Sequence, residues 1–161
     1  MISSEKFEFL RKLDFFKDFK DSELQKFLSV CAETIFENGE IIFEEGSIGD
    51  EFYIITKGSV EILKESSTGE RQLLAVIEDG SVFGEMSIID QTPRSATAAV
   101  GEDAQAELLV IKKVFLEELS LSDLDLATKL ILTLIKYISE RLRLTSERAY
   151  FAQNTLNSFN D

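Results

Sequence analysis

The sequence predicts a mainly β domain flanked by helices, and three changes in residue pattern support this prediction. Apolar residues recur at helical spacing near the N terminus, strand-like segments between glycine turns fill the centre, and helix formers without glycine or proline dominate the C-terminal part. Many short strands at about ten-residue spacing indicate a sandwich or barrel rather than a parallel sheet. We expect three segments of one domain, residues 1–31, 32–112 and 113–157.

The N-terminal segment predicts short helices. Asp21 or Ser22 is well placed to cap the second of them, because short polar side chains bond the first free backbone N–H groups of a helix. The apolar residues at helical spacing are Phe7, Leu10, Leu13, Leu24, Phe27 and Leu28.

The central segment predicts short strands separated by turn signals such as Asn38-Gly39, Gly49-Asp50, Gly58 and Asp79-Gly80. The candidate strands are residues 33–37, 40–45, 51–56, 59–65, 71–77, 95–100 and 106–112.

The C-terminal segment predicts a short helix at residues 113–119 and then a long helix capped by Ser122 or Asp123. Residues at alternating spacings of three and four form a stripe of about four heptads along the long helix. Such a stripe either covers the helix's own domain or pairs with a second chain, and we favour a homodimer. The stripe consists of Ile131, Leu134, Ile138, Leu142, Thr145, Ala149, Ala152 and Leu156.

Composition narrows the class of function. A net charge of −13 argues against a general nucleic-acid surface, which needs clustered Lys and Arg. The longest C-terminal apolar run, residues 130–135, is too short to span a bilayer, and a single cysteine fits a reducing compartment. We therefore expect a cytoplasmic protein that binds neither nucleic acid nor membrane.

The sequence contains no histidine. This absence excludes Ser-His and Cys-His nucleophilic catalysis and any His-ligated metal centre. No paired-carboxylate constellation stands out either, so a small barrel enzyme is improbable. We expect a protein that is not an enzyme and holds no metal.

Residues 83–96, FGEMSIIDQTPRSA, carry the strongest functional signal. Gly84 permits a sharp turn and a close approach of a ligand, Glu85 can accept hydrogen bonds from hydroxyl groups, and Arg94 offers a planar fork of donors for a phosphate. A carboxylate and an arginine with a turn of free amides between them suit a nucleotide. From the residues alone, the segment is equally an ordinary strand–helix–strand corner.

This segment closely resembles the phosphate-binding cassette of cyclic nucleotide-binding domains: Phe-Gly-Glu, four mostly apolar residues, a short loop, then Pro-Arg and two small residues. The resemblance extends over about residues 10–150. It implies an antiparallel β-roll of jelly-roll type with short N-terminal helices and a long C-terminal helix.

By this resemblance, Arg94 pairs with the cyclic phosphate and Glu85 takes the ribose 2′-hydroxyl beside the Gly84 backbone. Backbone N–H groups of Ser87 and Ser95 complete the phosphate cradle, although the family more often has Ala or Gly at the position of Ser87. Apolar side chains, which are equally ordinary core residues, face the base. They are Ile62, Leu74, Ile77 and Met86.

The long helix also resembles the dimer helix of the bacterial catabolite activator family, through the stretch Leu144-Thr145-Ser146-Glu147. That resemblance implies that Thr145 and Ser146, one from each chain, bond the adenine amino group. On the residues alone, both are equally solvated surface positions. Cyclic AMP is the expected ligand, and Ser95 leaves cyclic GMP open.

We therefore expect a cyclic-nucleotide sensor that couples ligand occupancy to the position of the C-terminal helix and is read by an unidentified protein partner. The alternative is a ligand-free dimerisation module. The activator family continues into a basic winged helix-turn-helix that this sequence lacks, so we expect no DNA binding. Either a stand-alone sensor or a regulatory piece of a longer chain fits the sequence.

Overall fold

The computed structural model describes residues 4–102 and 104–158, with side chains in the last helix described through residue 155. Seven antiparallel strands curl into a roll, with helices before and after it. The predicted fold class is confirmed. The strands are β1 (Ala32–Phe36), β2 (Ile41–Phe43), β3 (Glu51–Glu65), β4 (Arg71–Glu78), β5 (Val82–Phe83), β6 (Thr97–Ala99) and β7 (Ala106–Lys112). The helices are α1 (Ser4–Arg11), α2 (Asp21–Val30), α3 (Met86–Asp90), α4 (Lys113–Ser122) and α5 (Leu124–Ser158).

Strand β3 is the centre of the roll, because both halves of the sheet share it. Its first part pairs with β5 and β7, and its second part pairs with β4 and β6. The predicted turn at Gly58 is therefore wrong, since the strand continues through it. Gly58 has φ +90°, and a Cβ there would lie 2.0 Å from the carbonyl oxygen of Gln105. Only glycine allows the strand to bend at this close approach.

The first part of β3, residues 52–55, and most of β7 are buried on both faces, which explains their apolar runs. Successive side chains of a strand point to opposite faces, so Phe52 and Ile54 pack beneath the helices, whereas Tyr53 and Ile55 pack inside the roll. Two apolar clusters result, one on each side of the same strands.

The N-terminal helices and α5 enclose the outer cluster. Phenylalanine contacts join the turn that follows α1 to α2. The ring centroid of Phe16 lies 5.3 Å from that of Phe19, edge to face, and 5.1 Å from that of Phe27, in a tilted arrangement. Neither Asp21 nor Ser22 caps α2. The helix begins at Asp21, and the Glu23 carboxylate instead accepts the backbone N–H of Lys20 at 2.7 Å.

Helix α5 begins where the sequence indicates. Asp123 caps it, because its carboxylate accepts the N–H of Leu126 at 3.1 Å. An ion pair from Lys129 to Glu23, at 2.8 Å, fastens α5 to α2. With 35 residues the helix is about 52 Å long, yet among the described residues no helix has a long enough apolar stretch to cross a bilayer.

The stripe predicted along α5 needs one correction. Leu134 is only 1% exposed and belongs to the cluster beneath the roll, so it cannot face a second chain. Ile135 is 45% exposed and restores the alternation of three and four between Ile131 and Ile138. The side chain of Leu156 lies outside the described residues. The exposed members of the corrected stripe are Ile131, Ile135, Leu142, Thr145, Ala149 and Ala152.

Candidate functional site

A cavity of about 600 Å³ is lined by residues of the roll, of segment 84–96 and of α5. This volume is in the range of small-molecule sites. All but one of the residues that the sequence indicates line it, and Ser146 is the one that does not. The indicated residues in the lining are Ile62, Leu74, Ile77, Gly84, Glu85, Met86, Ser87, Arg94, Ser95 and Thr145.

Arg94 is the buried cation of the cavity, with 5% of its surface exposed. Its Nη1 donates to the Gly84 carbonyl oxygen at 2.6 Å, and its Nη2 donates to the Glu51 carbonyl oxygen at 2.7 Å. The guanidinium carbon lies 4.1 Å from the ring centroid of Phe43. This cation–π contact stabilises the buried positive charge. These contacts fix the direction of the donor fork.

Arg94 keeps its positive charge although its side chain is buried. Burial lowers the pKa of its guanidinium, while nearby Tyr53, Glu51, Asp50 and Glu85 act in the opposite direction. Burial likewise raises the pKa of the Tyr53 hydroxyl, which donates to the Glu51 carboxylate at 2.9 Å. The arginine therefore remains a cation, because an isolated guanidinium titrates far above neutral pH.

Two glycines make room for the guanidinium. Gly84 has φ +77°, and a Cβ there would lie 2.8 Å from Nη1 of Arg94. A Cβ at Gly49 would lie 2.5 Å from Cζ and Nε of Arg94 and 2.8 Å from Cβ of Ser87. Any larger residue at either position would displace the arginine or residues 83–96, the segment called the cassette below.

Glu85 connects the cassette to α5. Its side chain is 1% exposed, and its Oε1 accepts Nη2 of Arg141 at 2.5 Å. Arg141 also donates to the Val82 carbonyl oxygen at 3.3 Å. One helix arginine therefore contacts both β5 and the cassette carboxylate.

Two buried polar atoms have no hydrogen-bond partner within the described part of the chain, Nε of Arg94 and Oε2 of Glu85. A buried donor or acceptor without a partner is costly. One is a cationic donor and the other an anionic acceptor, and both residues line the same cavity. The pair fits a ligand that carries an anionic group and a hydroxyl, as a nucleotide does.

Lys64 holds the cassette from outside the cavity. Its ammonium donates to the Ser95 carbonyl oxygen at 2.8 Å and pairs with Glu45. The Glu45 carboxylate also accepts the backbone N–H of Glu65 at 2.9 Å. Ser95 itself is exposed, so its peptide is positioned by the contact with Lys64 rather than by burial.

The α5 face of the cavity carries Arg141, Thr145 and Arg148. The Thr145 hydroxyl donates to the Arg141 carbonyl oxygen at 2.8 Å, which leaves its oxygen lone pairs as acceptors. Among the described residues, Arg94 is one of three arginines that line the cavity, and Glu85 is the one acidic residue of the lining. The cavity is locally cationic in a chain of net charge −13.

Sequence reasoning missed Phe43, Gly49, Arg141 and Arg148. Gly49 was visible only as a turn signal, and the two helix arginines carried no signal beyond their charge. Within the described residues, no cluster of Cys, Asp and Glu side chains is arranged to hold a metal ion.

The fold and the cavity together are those of a domain suited to a small anionic ligand with hydroxyl groups. A family profile described as the cyclic nucleotide-binding domain matches residues 33–123, more than half of the chain. The chain therefore belongs to the cyclic nucleotide-binding domain family, a family of regulatory domains. The resemblance inferred from residues 83–96 is confirmed.

Named relatives agree with this assignment. The chain is 35% identical over 89 residues to the cAMP-dependent protein kinase regulatory subunit of Mucor circinelloides f. lusitanicus, covering 55% of this chain and 21% of that protein. It is 31% identical over 119 residues to the cGMP-dependent protein kinase, isozyme 2 forms cD5/T2, of Drosophila melanogaster, covering 73% of this chain and 13% of that protein. The chain thus spans about a fifth or less of either kinase protein.

A solved structure shares the fold across most of the chain. The cyclic nucleotide-binding domain from Methylobacillus flagellatus superposes with a TM-score of 0.78 and 26% identity, covering 89% of this chain and 80% of that one. The similarity extends beyond the matched profile, so it includes helices on at least one side of the roll.

Proposed function

We propose that this chain is a sensor domain that binds cyclic AMP in preference to cyclic GMP and couples occupancy to the position of α5. The observation that carries the proposal is the pair of unpartnered buried atoms, Nε of Arg94 and Oε2 of Glu85, in one cavity. A cyclic nucleotide supplies a phosphate for the first and a ribose hydroxyl for the second.

Arg94 binds the cyclic phosphate. Two of its five N–H donors are engaged by the Gly84 and Glu51 carbonyl oxygens, and the rest remain for phosphate oxygens. The Gly84 backbone lies beside the sugar, and backbone N–H groups of Ser87 and Ser95 complete the cradle.

The base lies against apolar side chains that line the cavity, Ile62, Leu74, Ile77 and Met86. Leu74 is 60% exposed and Met86 is 43% exposed. Covering them with a purine removes apolar surface from water, which favours binding.

Thr145 supports the preference for adenine. Its hydroxyl proton is engaged by the Arg141 carbonyl, so its oxygen accepts from the 6-amino group of adenine, whereas guanine has an acceptor at that position. Cyclic GMP is the second candidate because the exposed Ser95 hydroxyl at the cavity can contact the guanine amino group.

Coupling to α5 runs through Glu85. Its Oε1 holds Arg141 while its Oε2 is left for the ribose hydroxyl, so one carboxylate contacts helix and ligand together. Ligand binding then favours the helix position in which Arg141 reaches Glu85, because only a difference in affinity between positions shifts the equilibrium.

Two chains pair along the exposed stripe of α5, with Ile135 in place of Leu134. An exposed apolar stripe with this spacing is typical of a coiled-coil seam. Ser146, which does not line the cavity of its own chain, then contacts the adenine bound to the partner. An unidentified protein reads the position of the helix.

Calorimetric titration with cyclic AMP and cyclic GMP tests the proposal, on protein unfolded and refolded to remove carried ligand. Arg94→Ala is expected to weaken binding by about 2–3 kcal/mol, roughly 30- to 150-fold. The control is Arg71→Ala, since Arg71 is an exposed arginine that pairs with Glu44 at 3.0 Å outside the cavity. Unchanged affinity in Arg94→Ala overturns the phosphate assignment. No heat from folded wild-type protein favours a ligand-free dimerisation module.

A further inference from the structure

Arg148 lines the cavity, and within the described part of the chain its side chain has no hydrogen-bond or ion-pair partner. We propose that Arg148 is a purine-reading residue that opposes Thr145. Its guanidinium donates to N7 of either purine and, in guanine, also to O6. The balance between these two residues sets the ratio of the affinities for cyclic AMP and cyclic GMP. This inference rests on the proposed function of the same cavity.

The other two arginines of the cavity are engaged elsewhere. Arg94 donates to the Gly84 and Glu51 carbonyl oxygens, and Arg141 is paired with Glu85. Arg148 is exposed on α5, so its donor fork is available to a ligand without the loss of an existing bond. In a chain of net charge −13, an unpaired arginine at the cavity indicates a contact with the ligand.

The position of Arg148 along α5 places it at the base end of the ligand. Arg141 contacts Glu85, the proposed sugar-binding carboxylate. Thr145 lies about 6 Å and Arg148 about 10 Å further along the helix axis. Residues three apart are neighbours on one helix face, so Thr145 and Arg148 reach the same ligand edge.

The two side chains have opposite hydrogen-bonding roles, because the Thr145 oxygen accepts and the Arg148 guanidinium donates. Adenine offers an amino donor and the N7 acceptor on this edge, whereas guanine offers two acceptors, O6 and N7. The Thr145 oxygen matches the adenine amino group, and Arg148 matches N7 of both bases. Arg148 makes a bidentate contact only with guanine, which is the commonest specific pairing of arginine with a base.

The variants Arg148→Ala and Arg148→Lys test this assignment by calorimetry with both nucleotides. Arg148→Ala is expected to weaken cyclic GMP binding about tenfold more than cyclic AMP binding, which raises the selectivity for cyclic AMP. Arg148→Lys keeps the charge but lacks the planar fork, so it shifts the ratio in the same direction. Thr145→Ala is expected to shift it in the opposite direction. The control is Arg143→Ala, an exposed arginine of α5 outside the cavity lining.

Analogues that lack N7 isolate the contact itself. The wild-type protein is expected to bind 7-deaza cyclic AMP and 7-deaza cyclic GMP several-fold more weakly than the parent nucleotides, and Arg148→Ala is expected to lose that difference. An unchanged cyclic AMP to cyclic GMP ratio in Arg148→Ala, or an analogue penalty that persists in it, overturns the inference alone. Failure of the refolded wild-type protein to bind either nucleotide overturns both the proposed function and this inference.

Discussion

The substitution Gly49→Ala tests whether the position of the Arg94 guanidinium, rather than its charge alone, determines affinity. A Cβ atom at Gly49 would lie 2.5 Å from Cζ and Nε of Arg94 and 2.8 Å from Cβ of Ser87. Carbon atoms at van der Waals contact lie about 3.5–4.0 Å apart. The guanidinium therefore has to move, although the substitution leaves its charge intact.

The expected cost follows from what holds Arg94 in place. Its two carbonyl partners, Gly84 and Glu51, and the ring of Phe43 surround it, so a displacement breaks at least one charge-assisted hydrogen bond. Such a bond contributes about 1.5–3 kcal/mol, and overpacking costs about 1–3 kcal/mol of stability. We expect cyclic AMP affinity to fall about tenfold to a hundredfold and the free energy of unfolding to fall by the overpacking cost.

The assay pairs calorimetric titration with urea unfolding, and Gly39→Ala is the matched control. Gly39 has φ +74° and no atom within 4 Å of the added Cβ, so alanine there costs about 1–2 kcal/mol of backbone strain without touching Arg94. The control is expected to lose stability and keep its affinity. Wild-type affinity in Gly49→Ala, or equal affinity losses in both variants, would refute the reasoning.

Two further predictions concern the cassette support and the single cysteine. Lys64→Met removes the bond to the Ser95 carbonyl oxygen and is expected to weaken cyclic AMP binding about threefold. The control for this calorimetric titration is Lys57→Met, because Lys57 is on the same strand and its side chain is 75% exposed. Equal effects of the two substitutions on affinity would contradict a role of Lys64 in positioning Ser95. Burial raises the pKa of the Cys31 thiol to about 12, so at pH 8 native protein should react with a disulfide reagent far more slowly than urea-unfolded protein. Because the fold favours the protonated thiol, its contribution to stability is present below the unfolded pKa and is lost as pH rises toward 12; equal reaction rates would contradict the burial.

The sequence predicted correctly those features that depend on one contiguous stretch of the chain. Segment 83–96 is contiguous, so its Gly84, Glu85 and Arg94 could be read together before any contact was known. The Asp123 cap and the extent of α5 are equally local, because capping and helix propensity act within a few residues. The apolar runs of β3 and β7 indicated strands for the same reason.

Local patterns failed where two distant segments decide the outcome. Gly58 resembles a turn, yet the carbonyl of Gln105 makes it a bend in a continuous strand. Leu134 fits the heptad stripe as well as Ile135 does, and only packing against the roll buries it. Periodicity shows that a helix has an apolar face and leaves open which neighbour covers it.

The sequence alone specified the strand-rich centre, the terminal helices and the cassette, because propensity, turn chemistry and motif spacing are short-range properties. Folding alone brought Phe43, Arg141 and Arg148 to the cavity and placed Gly49 against Arg94. Arg141 is 56 residues from Glu85 in the chain and 2.5 Å from it in space, and no pattern along the chain records such a contact. Long-range pairing is decided by the summed burial of the whole roll, which is why segment 83–96 could be recognised from the sequence and the contact between Arg141 and Glu85 could not.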